Sequence, residues 1–230
     1  MAYSGMQTQL DKMVFFDLET GGLNPTRHPI IQLAAIAVDQ HLQPIETFEA
    51  KIRFDEQKAN RNSIRKNHYH RGVWAKIALE PEVVARNFGA FLRRHATIPM
   101  VASDGSSYRV AQLVAHNAQF DGEFLQTWYQ RLFEYLPARY LVLCTLQRAM
   151  WFFQEHRDEP PPTDFKLATL CHHFGVPFHA SSAHDALGDV TATVGLYRAL
   201  ANPRQSIHSR GAEAQVATRG RSLSHAWTAR

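Results

Sequence analysis

Cysteine is scarce in this chain: Cys144 and Cys171 are the only two among 230 residues, and both sit in apolar surroundings. A secreted fold stapled by disulfides would carry more of them at regular spacing, so a reducing cytoplasm is the expected location. Long apolar runs are also missing. No stretch approaches the roughly 18 to 20 apolar residues that span a bilayer, and MAYSGMQTQLDK has no signal-peptide core, so a soluble, non-exported protein without a membrane partner is expected. Paired C-x-x-C or H-x-x-x-H spacings are absent too. Thirteen histidines and the string Cys171-His172-His173 invite a zinc reading, but adjacent ligands suit a tetrahedral site poorly, and a helix with histidines on its rim explains them better. No segment repeats internally.

What remains is 45% apolar, enough to bury one full core. The net charge of +4 is a property of one end, because residues 204–230 hold five arginines against one glutamate and the rest is formally neutral. That end loses hydrophobic periodicity beyond Pro203 and gains Arg, Ser, Gly and Ala, so residues 1–203 are read as one domain and 204–230 as a basic, flexible tail. Such a tail could add nonspecific affinity for nucleic acid or tether a partner. Within the neutral body, Lys51 to Lys76 carries eight basic residues and two acidic ones. A stretch of that kind is either a solvated face or a surface for a phosphate backbone. Tyr69 and Trp74 within it are candidates for stacking on bases and equally for packing inside.

Period-two patterning predicts strands over MVFFDLE (13–19), IIQLAAIAVD (30–39) and about 45–53, an antiparallel start joined first by the turn residues of TGGLNPTRHP. A helix is expected from about Pro81 to His95, with Val84, Phe88, Phe91 and Leu92 on one face. After a polar loop, SDGSSYR (103–109), VAQLVAHN reads as a buried strand and FDGEFLQTWYQRLF as a helix, the strand-turn-helix order of α/β proteins. RYLVLC (139–144) reads as another strand, followed by helices through TLQRAMWFFQ, through LATLCHHF to a stop at Gly175, and from about Asp185 to Ala201.

Three short strings place acids or histidine at the ends of apolar elements. In FDLETGG, Asp17 and Glu19 are two apart, so in a strand both carboxylates face the same way. Two acids ending an apolar strand are costly without a partner, although acids also cap strands in solvent. In HNAQFDGEF, Asp121 opens a helix after a strand, where an aspartate also serves as a plain cap. In HDALGD, His184 and Asp189 are five apart, which places them together best if His184 precedes the helix and Asp189 lies on its first turns. Four carboxylates supply hard oxygen ligands for Mg²⁺ or Mn²⁺. His184 adds a base that titrates near neutrality. Phosphodiester hydrolysis needs this set: two ions about 3.5 to 4 Å apart to activate water and stabilise the departing oxygen, and a base for the water's proton.

FDLETGGLNP, VAHNAQFDGEF and AHDALGD, in this order, resemble the three exonuclease motifs of the DnaQ-like superfamily in its histidine-bearing DEDD branch (DEDDh), over roughly Lys12 to Ala201. The resemblance implies an α/β, RNase H-like exonuclease fold, a central mixed β-sheet flanked by helices, in residues 1–203. It implies a 3′-5′ exonuclease that releases nucleoside monophosphates from the 3′ end of DNA, preferentially single-stranded. By similarity Asp17 bridges both ions, Glu19 and Asp189 complete the ion that prepares the water, Asp121 holds the second ion, and His184 is the general base. Thr20 and Gly21 would meet the terminal 3′ hydroxyl, Leu23 and Phe120 would pack on the last bases, and Asn117 would order the loop before Asp121. Cys144 stands where many relatives carry an aspartate that is not a metal ligand. Trimming of RNA ends is the alternative activity, and an inactive nucleic-acid or partner-binding module the alternative of another class. Either a homodimer or association with a polymerase or other repair protein is compatible with the resemblance.

Overall fold

Strand β1 (Lys12–Thr20) lies in the middle of a five-stranded sheet and is buried on both faces, which its unbroken apolar start requires. In the computed structural model, which describes residues 10–178 and 185–202, β2 (Ile30–Asp39) pairs with it antiparallel from Lys12↔Asp39 to Thr20↔Ile30. Strand β3 (Pro44–Lys51) pairs antiparallel on the outer side of β2. The chain then forms two short helices, α1 (Arg61–Lys66) and α2 (Arg71–Ile77), and the longer α3 (Pro81–Arg94). A hairpin of β4 (Ile98–Val101) and β5 (Ser107–Val110) stands apart as its own two-stranded sheet. Next come β6 (Leu113–Ala115), α4 (Ala118–Arg131), β7 (Leu143–Cys144), α5 (Thr145–Glu155), α6 (Leu167–Phe174) and α7 (Ala186–Ala201). The sheet order is β3-β2-β1-β6-β7, with β6 parallel to β1 and β7 parallel to β6.

Side-chain alternation sorts the core into layers. Val14, Phe16 and Leu18 of β1 join Leu33, Ala35 and Ala37 of β2 against Val84, Phe88, Phe91 and Leu92 of α3 and Phe124 and Leu125 of α4. Met13 and Phe15, with Ala34, Ile36 and Val38, face the other way onto Ala186, Val190 and Val194 of α7. A third cluster packs α5, α6 and α7 together through Phe152, Phe153, Leu170, Phe174 and Leu196. Continued along β1, the second parity carries Asp17 and Glu19 to the α7 face, at the carboxyl end of the strand. Open α/β sheets form their crevices at that end, where neighbouring strands diverge.

The mixed sheet flanked by helices is the expected architecture, but several elements differ from the sequence reading. The strand expected over 139–144 contracts to Leu143–Cys144. Before it, Tyr140 and Leu141 are exposed and the Gln112 side chain binds the Leu141 carbonyl at 2.8 Å, so side-chain bonding replaces the ladder. The strand expected from Val110 divides between β5 and β6. The polar loop expected at 103–109 divides between the turn of the β4–β5 hairpin and β5 itself; in the turn Gly105 takes φ +85° and Asp104 Oδ1 accepts from the Ser106 amide at 2.9 Å. Trp74 is buried, and its indole donates to the Ile31 carbonyl at 3.2 Å, so it packs inside and is withheld from base stacking. His184 and residues from 203 onward, including the expected tail, lie outside the described residues.

Phe88 of α3 is fully buried, stacks with Phe91 at 6.0 Å and meets Phe48 of β3 tilted at 5.2 Å between ring centroids. Phe88→Ala should lower unfolding free energy by about 3 to 5 kcal/mol, read as a shift of the urea midpoint with little change in slope.

Candidate active site

Asp17 and Glu19 leave β1 toward the first turn of α7, where Asp189 meets them. One carboxylate oxygen from each of these three residues lies within 4.8 Å of the others. Glu19 is buried, and Asp17 and Asp189 are partly so. Asp121 arrives from the β6 side, one turn into α4, and is itself buried. Its placement follows from the sheet. β6 pairs with β1 only at Val14 and Phe15, so the Leu18 amide, which points to the same side as Val14, has no strand partner. The Asp121 carboxylate accepts that amide hydrogen. Four of the five expected catalytic residues therefore converge on the end of one strand, and the fifth, His184, falls outside the described residues.

This crowding shows in the proton affinities. Burial, then the charges of Asp121, Asp189 and Asp185, hold Asp17 well above the ordinary carboxyl range. Glu19 is pushed up to about 9 by burial and by Asp17, Asp189 and Asp185, with Lys66 opposing. Burial raises Asp121 against the lowering effect of its amide hydrogen bonds. Without a counter-charge the cluster keeps protons, because several carboxylates this close cannot all ionise. The donor set is oxygen alone, which fits a hard divalent cation, and Asp17, Glu19 and Asp189 are the residues placed to hold one.

The loop after β1 is tied down. The Gly21 amide donates to the Pro29 carbonyl at 2.8 Å, and the Asn60 amide to the Gly21 carbonyl at 2.6 Å. Asn67, buried, donates from Nδ2 to the Thr20 carbonyl at 3.0 Å, and Thr20 Oγ1 donates to the Gly22 carbonyl at 2.7 Å. A carbonyl has two lone pairs, so Thr20 and Gly21 can each still accept a further hydrogen bond. Leu23 projects from this loop with 82% of its surface exposed. Phe120 is half-buried and lies on Phe124 at 4.8 Å between ring centroids. Asn117 adopts the left-handed conformation at φ 59° and makes no side-chain cap on α4; the Ala118 amide donates to Cys144 Sγ at 3.4 Å instead. Cys144 therefore fills an acceptor's place beside α4.

Four residues escaped the sequence reading. Asp185 precedes α7 and its charge acts on both Asp17 and Glu19. Gln32 sits opposite Glu19 in the sheet, buried, and donates from Nε2 to Asp185 at 2.9 Å and to Glu49 at 3.1 Å. It is a polar residue inside an otherwise apolar strand, a signal that could have flagged it. His116 joins Thr145 Oγ1 at 2.9 Å and the Phe165 carbonyl at 3.1 Å, and burial lowers its pKa, so the neutral ring pins the loop before α6 to the end of β6. Asn67 lies within the basic stretch, where nothing in the local pattern distinguishes it.

A family model described as an exonuclease of the RNase T kind matches residues 14–197. Ribonuclease T of Actinobacillus pleuropneumoniae is 30% identical over 207 residues, covering 82% of this chain and 83% of the relative. A PolC-type DNA polymerase III of Halalkalibacterium halodurans is 31% identical over 183 residues, 79% of this chain but 11% of the relative. The chain thus spans about a tenth of that polymerase. Among solved structures, E. coli exonuclease I in complex with a dT13 oligonucleotide superposes with a TM-score of 0.67 at 18% identity, over 87% of this chain and 43% of that one.

A carboxyl whose folded pKa exceeds its unfolded value binds more protons folded than unfolded between the two, so stability falls as pH rises through that window. In EDTA the melting temperature should therefore carry a destabilising component from about pH 4.5 to about 9, the interval set by Glu19. Mn²⁺ or Mg²⁺ should raise the melting temperature most at the alkaline end, where the displaced protons are already gone. Calorimetry across that range reads both effects, and a metal-induced shift that does not grow with pH would contradict this account.

Proposed function

Because the chain belongs to the RNase T-type exonuclease family, we propose that it is a 3′-5′ exonuclease that shortens single-stranded DNA one nucleotide at a time by metal-dependent hydrolysis. The observation that carries this reading is the meeting of Asp17, Glu19 and Asp189 oxygens within 4.8 Å, with Asp121 held close by the Leu18 amide. Bound as a pair, Mg²⁺ or Mn²⁺ ions supply a water of lowered pKa and charge to offset that developing on the phosphate and the leaving oxygen.

The residues divide the work by position. As in the family it resembles, Asp17 would contribute to both ions, Glu19 and Asp189 to the ion that prepares the water, and Asp121 to the second ion. His184 takes the proton from the attacking water. That water adds to phosphorus as the bond to the 3′ oxygen breaks, which yields a nucleoside 5′-monophosphate and a shortened strand with a new 3′ hydroxyl. The carbonyls of Thr20 and Gly21 receive the terminal hydroxyl, Leu23 and Phe120 bear on the last bases, and Asn117 shapes the turn that delivers Asp121.

DNA is favoured on the similarity to a DNA polymerase segment, and exonuclease I, of like fold, binds a DNA oligonucleotide. RNA trimming is the second reading, because the ribonuclease T relative is matched over most of both chains. In this reading residues 1–203 form the catalytic domain and 204–230 a basic arm for nucleic acid. The chain works as a homodimer or beside a polymerase or other repair protein, and the two free cysteines suit the cytoplasm. Among the described residues no helix is long and apolar enough to cross a membrane.

Single-turnover digestion of matched 5′-labelled DNA and RNA oligomers in Mg²⁺ tests this proposal. A ladder shrinking from the 3′ end is expected, faster on DNA. Asp17→Ala should slow it by more than about 100-fold, without loss of melting temperature in EDTA, since one repelling carboxylate is gone. His184→Ala should cost about 10² to 10⁴ in rate while divalent binding persists. Faster cutting of RNA selects the trimming reading; no cutting of either restores the binding module.

A further inference from the structure

Beside the loop that follows β1 lies a cleft of about 430 Å³ lined by Arg27, His28, Gln57, Lys58, Ala59 and Asn60. Its charged groups are cations, with side-chain amides between them and no carboxylate, the opposite of the neighbouring acidic cluster. Resting on the exonuclease reading above, we propose that this cleft is a phosphate subsite that takes an internal phosphodiester of the substrate strand, on the 5′ side of the nucleotide held at the carboxylates.

Three observations converge on it. First, the ion pairs separate the cations of this region into used and unused. Lys51 is paired with Glu49, Arg53 with Glu80 and Arg71 with Glu56, whereas neither Arg27 nor Lys58 has an ion-pair partner among the described residues. The two cations on the cleft thus keep their charge for a ligand. Second, its wall is preorganised. Asn24 Oδ1 accepts from the amide and hydroxyl of Thr26 at 2.9 and 2.7 Å, and the Asn24 amide donates to His28 Nδ1 at 3.0 Å. That bond leaves Nε2 as the nitrogen carrying the proton, a donor suited to a phosphate oxygen. His28 also lies flat on Gly22, where a Cβ would come within 2.5 Å of the ring, so the imidazole has a fixed seat. The Arg131 guanidinium braces the loop from α4 through the Thr26 carbonyl. Third, the cleft adjoins the cutting site, because the Asn60 amide that edges it donates to the Gly21 carbonyl.

The chemistry favours the strand as occupant. The scissile phosphate belongs with the carboxylates and their ions, so the remaining phosphates lie on its 5′ side. They have to be held without metal, which calls for cations and N–H donors clear of acids.

The test compares wild type with the double variant Arg27→Ala/Lys58→Ala, using a single-stranded decanucleotide and a dinucleotide whose one phosphodiester is the scissile one. The ratio of kcat/KM on the long substrate to that on the short one should fall about tenfold at low salt, and the charge-conserving Arg27→Lys/Lys58→Arg variant should restore it in large part. An unchanged ratio overturns the subsite. Fluorescence anisotropy of the labelled decanucleotide in EDTA provides a readout independent of cleavage. The slope of log affinity against log salt should become shallower by about 0.7 for each phosphate that the variant no longer neutralises, and an unaltered slope overturns the subsite even if wild type cuts nothing. Failure of wild type to cut, with the slope changed as expected, removes the exonuclease reading and leaves the phosphate subsite standing. Weaker inhibition of the variant by free nucleoside 5′-monophosphate, with the slope unaltered, gives the cleft to the product and overturns its assignment to the strand.

Discussion

Asp17, Glu19 and Asp189 repel one another at the carboxyl end of β1, with Asp121 and Asp185 adding to the field, and the structure around them is arranged to hold that repulsion in place. A flexible segment would simply splay the acids apart. Instead Asp17 and Glu19 extend from a strand sealed on both faces, with Phe15 and Phe16 wholly buried before them. Asp121 is fastened by a backbone amide of that same strand, and Asp185 by Gln32 of the next. Destabilisation stored in the metal-free cluster becomes affinity when a cation arrives, since each displaced proton had been kept only for want of a counter-charge. A core of aromatic and aliphatic side chains on both faces of the sheet supplies the stability that this arrangement spends.

Charge is divided sharply across a short distance. Acids collect on the α7 side of β1, while Arg27 and Lys58, which have no ion-pair partner among the described residues, line a cleft beside the loop joining β1 to β2. Gly21 stands at that boundary, its amide held by Pro29 and its carbonyl by Asn60. Lys66 reaches across far enough to ease the proton affinity of Glu19. In the proposed reading, a polyanionic strand entering such a field would meet attraction along its length and repulsion at its end until divalent ions reversed the sign there, so binding and ion occupancy would support each other.

Much of this was legible in the residues because the periods are strict. Alternation placed Asp17 and Glu19 on one face, and the helices bearing Asp121 and Asp189 carried apolar stripes long enough to read. The contraction of the 139–144 strand was hidden because RYLVLC has strand composition, while its pairing depends on where β6 ends and on a glutamine side chain that competes for the Leu141 carbonyl. The β4–β5 hairpin was hidden because each of its strands is only four residues long, with little alternation to count. Gln32, Asp185, Asn67 and His116 act through partners distant in sequence, such as Thr20 for Asn67 and Phe165 for His116, and spacing rules do not see such partners. Trp74 offered two readings, and its burial against the Ile31 carbonyl settled between them.

The acidic cluster draws its members from the first strand and the last helix of the described fold, elements separated by nearly the whole domain in sequence yet packed face to face. Neither half can concentrate negative charge alone. During synthesis the emerging chain would therefore carry β1, the basic helices and even Asp121 without the three-carboxylate cluster, which assembles only as α7 leaves the ribosome and docks. If the chain is the exonuclease proposed above, coupling the site to the final docking event keeps incomplete chains from cutting the nucleic acid around them.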